Sequence, residues 1–118
     1  MNNIDPAWAW SQFKPTNRQP WNLTQAAHLY RRSGFGVGRG ELQRAVAGGV
    51  QRCVQQILHD NQESQSFQDE MALMTRSIVS SGNLQSLATA WLYRMLKTSD
   101  QLHEKTTLFW HGHFATSA

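Results

Sequence analysis

The densest concentration of chemically capable side chains lies near the end of the chain, in Glu104-Lys105-Thr106-Thr107-Leu108-Phe109-Trp110-His111-Gly112-His113-Phe114. Imidazole is the commonest protein metal ligand and changes charge near neutral pH. A structural zinc takes four ligands and a catalytic one usually three. His111 and His113 supply two, with Glu104 as a recruit and His103 and His28 as more distant ones. Spacing decides what they can share. On an α-helix, residues two apart diverge by about 200°; on an extended segment they share a face. Gly112 stands between them, and glycine often closes a helix. The set is a candidate transition-metal site that needs further ligands from beyond Ala118. In the alternative reading, His111 serves the carbonyls and dipole of a last helical turn.

Other chemistries find less support. Cys53 is the single cysteine, which excludes an internal disulfide framework and a cysteine-rich zinc site. It lies between Val50 and Val54 on an apolar helical face, which suits a buried, inert thiol better than a nucleophile. The glycine-dense Gly34-Phe35-Gly36-Val37-Gly38-Arg39-Gly40 precedes a helix, and helix N-termini attract anions. However, Arg39 occupies the position of the third glycine of G-x-G-x-x-G, and the preceding element reads as a helix, not a strand. A helix-to-helix connector with Phe35 as its buried plug is expected. No nucleophile elbow or cysteine-histidine pairing is legible. The sequence therefore yields no cofactor beyond the metal alternative and leaves the enzyme question open.

Eleven Lys and Arg against eight Asp and Glu give a net charge of +3, with the signs alternating along the chain. Arg31, Arg32 and Arg39, and the aromatics interleaved with Lys14 and Arg18, raise nucleic-acid binding as a reading. A single-strand binder normally shows a denser basic groove, so nucleic acid is not the favoured partner. No run reaches the length of a membrane span. The first residues lack the basic start and apolar stretch of a secretion signal, so the expectation for this sequence as written is cytoplasmic.

The elements that must position these residues read as all-α. Residues 1–22 contain all three prolines with Trp8, Trp10, Phe13 and Trp21 between them. They read as an extended arm pinned across a helical body, with Trp8 and Trp10 sharing one face of a strand-like segment. The helical region is 23–118, an irregular bundle of about five or six helices. Thr24 caps a helix over about 25–32, with Ala26, Ala27 and Tyr30 inward and His28 near that stripe. Gly34 closes it in left-handed geometry. Two short helices, about 41–47 and 50–59, flank Gly48-Gly49, the second with a stripe of Val50, Cys53, Val54, Ile57 and Leu58. After a polar loop over 60–65, Ser66 and Asp69 open a helix striped by Phe67, Met71, Met74 and Ile78. Leu84, Leu87, Trp91 and Met95 mark the next, to about Lys97, and Thr98-Ser99-Asp100 offers caps for the last. On that last helix Glu104, Leu108 and His111 share one side, while His103, Trp110 and Phe114 share another.

Leu29-Tyr30-Arg31-Arg32-Ser33-Gly34-Phe35-Gly36 and the eleven-residue segment 104–114 resemble the two clearest signatures of a bacterial family, the domain of unknown function 1800 family. Asp5-Pro6-Ala7-Trp8-Ala9-Trp10 and Pro20-Trp21-Asn22-Leu23 look like its planctomycete branch. Val37-Gly38 and Thr106 depart from the family's usual residues. The family has no agreed catalytic residues, so the resemblance carries none over to this chain. It implies the N-terminal part of a longer domain, and, through neighbouring secreted proteins, an association with the cell envelope. Five Trp and five Phe on short elements give the functional expectation. It is a helical region that docks on the rest of its own protein or on a protein partner, with a metal-dependent enzyme using His111 and His113 as the alternative.

Overall fold

The computed structural model describes residues 5–59, 62–83 and 85–115. Leu84, Asp60 and Asn61, and the expected extents at 1–4 and 116–118, lie outside the described residues, and of Trp8 only the backbone is described. Among the described residues the regular elements are all helices: α1 (Pro6–Ala9), α2 (Leu23–Ser33), α3 (Arg39–Gly48), α4 (Val50–His59), α5 (Gln65–Ser81), α6 (Gln85–Lys97) and α7 (Gln101–Phe114). The fold is all-α. No helix among them is long and apolar enough to cross a membrane.

Capping chemistry sets the starts. Asn22, in extended geometry, accepts the Gln25 N–H at 3.1 Å and caps α2, so the helix begins before Thr24, which had been expected to cap it. Ser64 accepts from Phe67 N at 3.3 Å and caps α5, ahead of the Ser66 cap expected from sequence. Asp100 accepts from His103 N at 3.2 Å and caps α7. Gly49 (φ +83°) and Gly82 (φ +69°) supply the positive φ that ends α3 and α5.

Residues 6–9 form a helical turn, and the strand-like alternation expected for Trp8 and Trp10 does not apply there. Proline causes this instead of preventing it. At a first helical position its missing N–H is not needed, and Asp5 accepts the Ala7 N–H at 2.9 Å. Trp10 is exposed. Further along, Trp21 anchors the segment: its Nε1 donates to Ala45 O at 3.1 Å, and Phe13 leans on it with ring centroids 6.5 Å apart. The Ala45 carbonyl also accepts Gly49 N at 3.1 Å and Cys53 Sγ at 3.3 Å. One carbonyl thus ties the N-terminal segment, α3 and α4.

The buried cluster around it is made of small residues: Ala26, Ala45 and Cys53, backed by Trp21, Leu29, Tyr30, Leu42 and Val46. Small side chains let α2, α3 and α4 approach closely but bury little area. The helical stripes run as expected on α4, where Cys53 is buried, and on α5, where Met71 is. On α6 Leu87, Trp91 and Met95 of the expected stripe are half-buried, and the buried residue is Ala90, which the stripe did not include. Two expectations fail. His28 is exposed on the outer face of α2, and Phe35 is 40% exposed, so it is not a buried plug. The connector is held by its backbone instead, as described below.

Helix α2 packs on α3, α3 on α4, and α5 on α6, while α7 touches α2, α4 and α6. Helix α7 is therefore the strut between an α2–α4 cluster and an α5–α6 hairpin. The molecule is elongated, 57 × 36 × 21 Å, with a radius of gyration of 18.4 Å against about 13.5 Å for a compact chain of this length. Its accessible surface of 9601 Å² likewise exceeds the roughly 6,500 Å² that mass scaling gives.

Candidate functional site

Helix α7 carries the segment with the most chemistry, and its first turns are spent on structure. Consecutive helical residues point about 100° apart, so Glu104 and Lys105 serve different neighbours. Glu104 is 4% exposed. Its carboxylate accepts Trp91 Nε1 at 3.0 Å and the Arg94 guanidinium at 2.5 Å, which fastens α7 to α6. This is the one ion pair among the described residues. A carboxylate so buried needs its lone pairs filled, and a guanidinium plus an indole N–H supply that.

Lys105 reaches the other way. Its ammonium donates to Arg31 O and, at 2.6 Å, to Gly34 O. These carbonyls belong to the end of α2, where a cation complements the dipole and satisfies acceptors the helix leaves unpaired. The ammonium also stands 5.9 Å from the centre of the Phe35 ring. One turn earlier, Gln101 Oε1 accepts Phe35 N at 3.0 Å. Gly34 itself has φ −155°, which is extended backbone and not the left-handed closure expected. Its requirement is space, because a Cβ there would lie 2.4 Å from Gln101 Oε1. The two segments 29–36 and 104–114 are thus docked on one another.

The second half of α7 is different. The helix runs unbroken through Gly112 to Phe114, so His111 and His113 project from different sides. The His111 ring meets Trp91 edge-on at 5.3 Å. The His113 ring stacks parallel to Phe109 at 6.3 Å and meets Trp110 and Phe114 edge-on. Trp110 and Phe114 stack at 5.2 Å. Glu104 is taken up by Trp91 and Arg94, while His103 and His28 are exposed. Among the described residues no three His, Cys, Asp or Glu side chains group to hold a metal ion. This half of α7 presents large aromatics to the outside: Phe109 is 63% exposed, Trp110 48% and Phe114 70%.

Beneath α2, burial pushes the Cys53 thiol above its ordinary pKa, and the neighbouring Tyr30 hydroxyl is also raised, first by burial and then by Cys53 and Glu41. The thiol is held protonated at neutral pH, which suits a packing role.

Sequence reasoning missed Gln101, Trp91 and Arg94 as partners of the two signatures. Gln101 gives no local signal. Trp91 and Arg94 sit three apart on α6, a spacing that places both on one face, but only the fold brings Glu104 to it.

The family described as protein of unknown function (DUF1800) matches residues 28–118. No curated protein and no solved structure matches the chain.

Proposed function

We propose, for a chain that belongs to the DUF1800 family, that its helical region is a docking module for protein. The face offered is the outer half of α7, with Phe109, Trp110 and Phe114 at its centre. The occupant is an apolar helical surface, carried either by further length of the same polypeptide or by a partner. One observation carries this reading. Three large aromatics stay 63%, 48% and 70% exposed on a helix whose inner side is fastened at both ends of the Glu104–Lys105 pair. Burying each would contribute about 1.5–3 kcal/mol. Trp110 and Phe114, four apart and stacked, form a ridge of the kind that enters a helical groove. The thinness of the α2–α4 core makes this surface weigh more, since a small domain has few other sources of stability.

The test is binding of an apolar fluorescent dye to the 118-residue chain and to a Trp110→Gln/Phe114→Gln variant, with near-ultraviolet circular dichroism to verify packing. The reading expects strong dye binding that the double variant loses while its packing signal persists. Equal dye binding by the two chains would overturn it.

A further inference from the structure

A cavity of about 790 Å³ opens between the end of α2, helices α3 and α4, and the start of α7. Its walls mix Val37, Ile57 and Leu102 with the side chains of Arg44 and Arg52. We infer that this cavity binds a small organic oxyanion, a molecule with an apolar body and a carboxylate or phosphate held by Arg44 and Arg52. The site is distinct from the aromatic face of α7.

Among the donors around the cavity the two arginines are the charged ones, Tyr30, Gln56 and Gln101 being neutral. Ser33 Oγ donates to Leu29 O, Ser99 Oγ to Gln62 O, and Thr98 Oγ1 to Glu63. These hydroxyl hydrogens are already committed. The two guanidiniums are not: among the described residues neither forms an ion pair, the one pair being Arg94 with Glu104. Glu41 also lines the cavity, so the wall carries two cations against one carboxylate. A guanidinium presents a rigid fork of donors that matches an oxyanion, and a second one favours a dianion.

The spacing is built for this. Gly40, Arg44, Gly48 and Arg52 recur every four residues across the α3–α4 junction. Helical side chains lean back over the preceding turn, and each arginine here lies over a glycine. Arg44 Nη1 is 3.9 Å from where a Gly40 Cβ would stand, and Arg52 Cδ is 3.2 Å from that of Gly48. Glycine at 48 leaves room for the Arg52 stem along the cavity wall, whereas a Cβ at 40 would meet Arg44 only in ordinary van der Waals contact. The volume falls within the range of small-molecule sites.

The experiment titrates the 118-residue chain with phenyl phosphate and, separately, with benzoate, following backbone amide shifts by nuclear magnetic resonance. The expected result is saturable binding, with the largest shifts at Gly34, Gly36 and Gly48. Arg44→Gln and Arg52→Gln should each weaken it about tenfold, the loss of a charge-assisted hydrogen bond. Arg76→Gln, which removes the same charge from α5, should change it less than about twofold. Gly48→Ala keeps every charge and should still weaken binding by crowding Arg52. The tighter of the two compounds tells whether the anion is a phosphate or a carboxylate. If neither compound saturates, or if Arg76→Gln weakens binding as much as Arg44→Gln and Arg52→Gln, the inference is overturned.

Discussion

The Lys105 ammonium donates to the Gly34 carbonyl across 2.6 Å, joining positions 71 apart in the chain. With its second bond to Arg31 O it caps α2 from the side of α7. Locally the Gly34 N–H closes on Tyr30 O at 2.9 Å and Ser33 Oγ on Leu29 O, but Gly34 is extended and directs the chain onward, leaving the Arg31 and Gly34 carbonyls to Lys105. The end of α2 is thus satisfied by tertiary structure, and α7 must be in place before that end is complete.

Lys105→Met keeps most of the side-chain stem and removes the donor. It should lower stability by about 1.5 kcal/mol, the scale of a hydrogen bond to a charged group. Hydrogen exchange should quicken at residues 31–35 more than at α5. Denaturant melts with residue-resolved exchange check both.

Gly34→Ala should destabilise through a clash with Gln101, since a Cβ at 34 would meet Gln101 Oε1 at 2.4 Å and Gln101 Cβ at 3.1 Å. Backbone strain is not the cause at φ −155°. The two effects should therefore couple: Gly34→Ala combined with Gln101→Ala should cost less than the sum of the single changes. Strict additivity in a double-mutant cycle would contradict this account of Gly34.

Glu104→Leu leaves Trp91 Nε1 and the Arg94 guanidinium without their acceptor. Breaking a buried pair by removing one partner costs about 3–5 kcal/mol. Arg94 is 34% exposed and can turn to water, so about 2 kcal/mol is expected here. The α5–α6 hairpin, held internally by the Tyr93 hydroxyl on Glu70 at 2.8 Å, should keep its helicity while its docking on α7 loosens.

Stability should fall in alkali. Cys53 and Tyr30 both have raised pKa values, chiefly from burial. Above the ordinary thiol range the unfolded chain releases the Cys53 proton while the folded chain retains it. The stabilisation is complete below that range and is lost as pH rises through the folded values. Cys53→Ala should flatten the first part of that decline, measured by denaturant midpoints from pH 7 to 10.

Much of this architecture is legible in sequence where period and burial coincide. The stripes through Cys53 and Met71 follow helical faces, and glycines at 49 and 82 mark ends as their positive φ requires. Caps are legible only as sets. Asn22 and Thr24, or Ser64 and Ser66, can all cap a helix chemically, and the backbone entering the helix selects between them. Glycine has two uses, conformational freedom and absence of volume, and at Gly34 only the approach of Gln101 tells which applies. Phe35 was expected inside because of its size, yet the connector is held through its backbone N–H. Glu104 and Lys105 looked like candidate chemistry. Their roles emerge only when helices distant in sequence are brought together.

The central claim is that the outer half of α7 is a face built to be covered. The most direct measurement is sedimentation equilibrium of the 118-residue chain over a wide concentration range, alone and with Trp110→Gln/Phe114→Gln. The account predicts concentration-dependent self-association of the parent chain that the double variant abolishes. A parent chain that stays monomeric throughout and melts cooperatively at high temperature would contradict it.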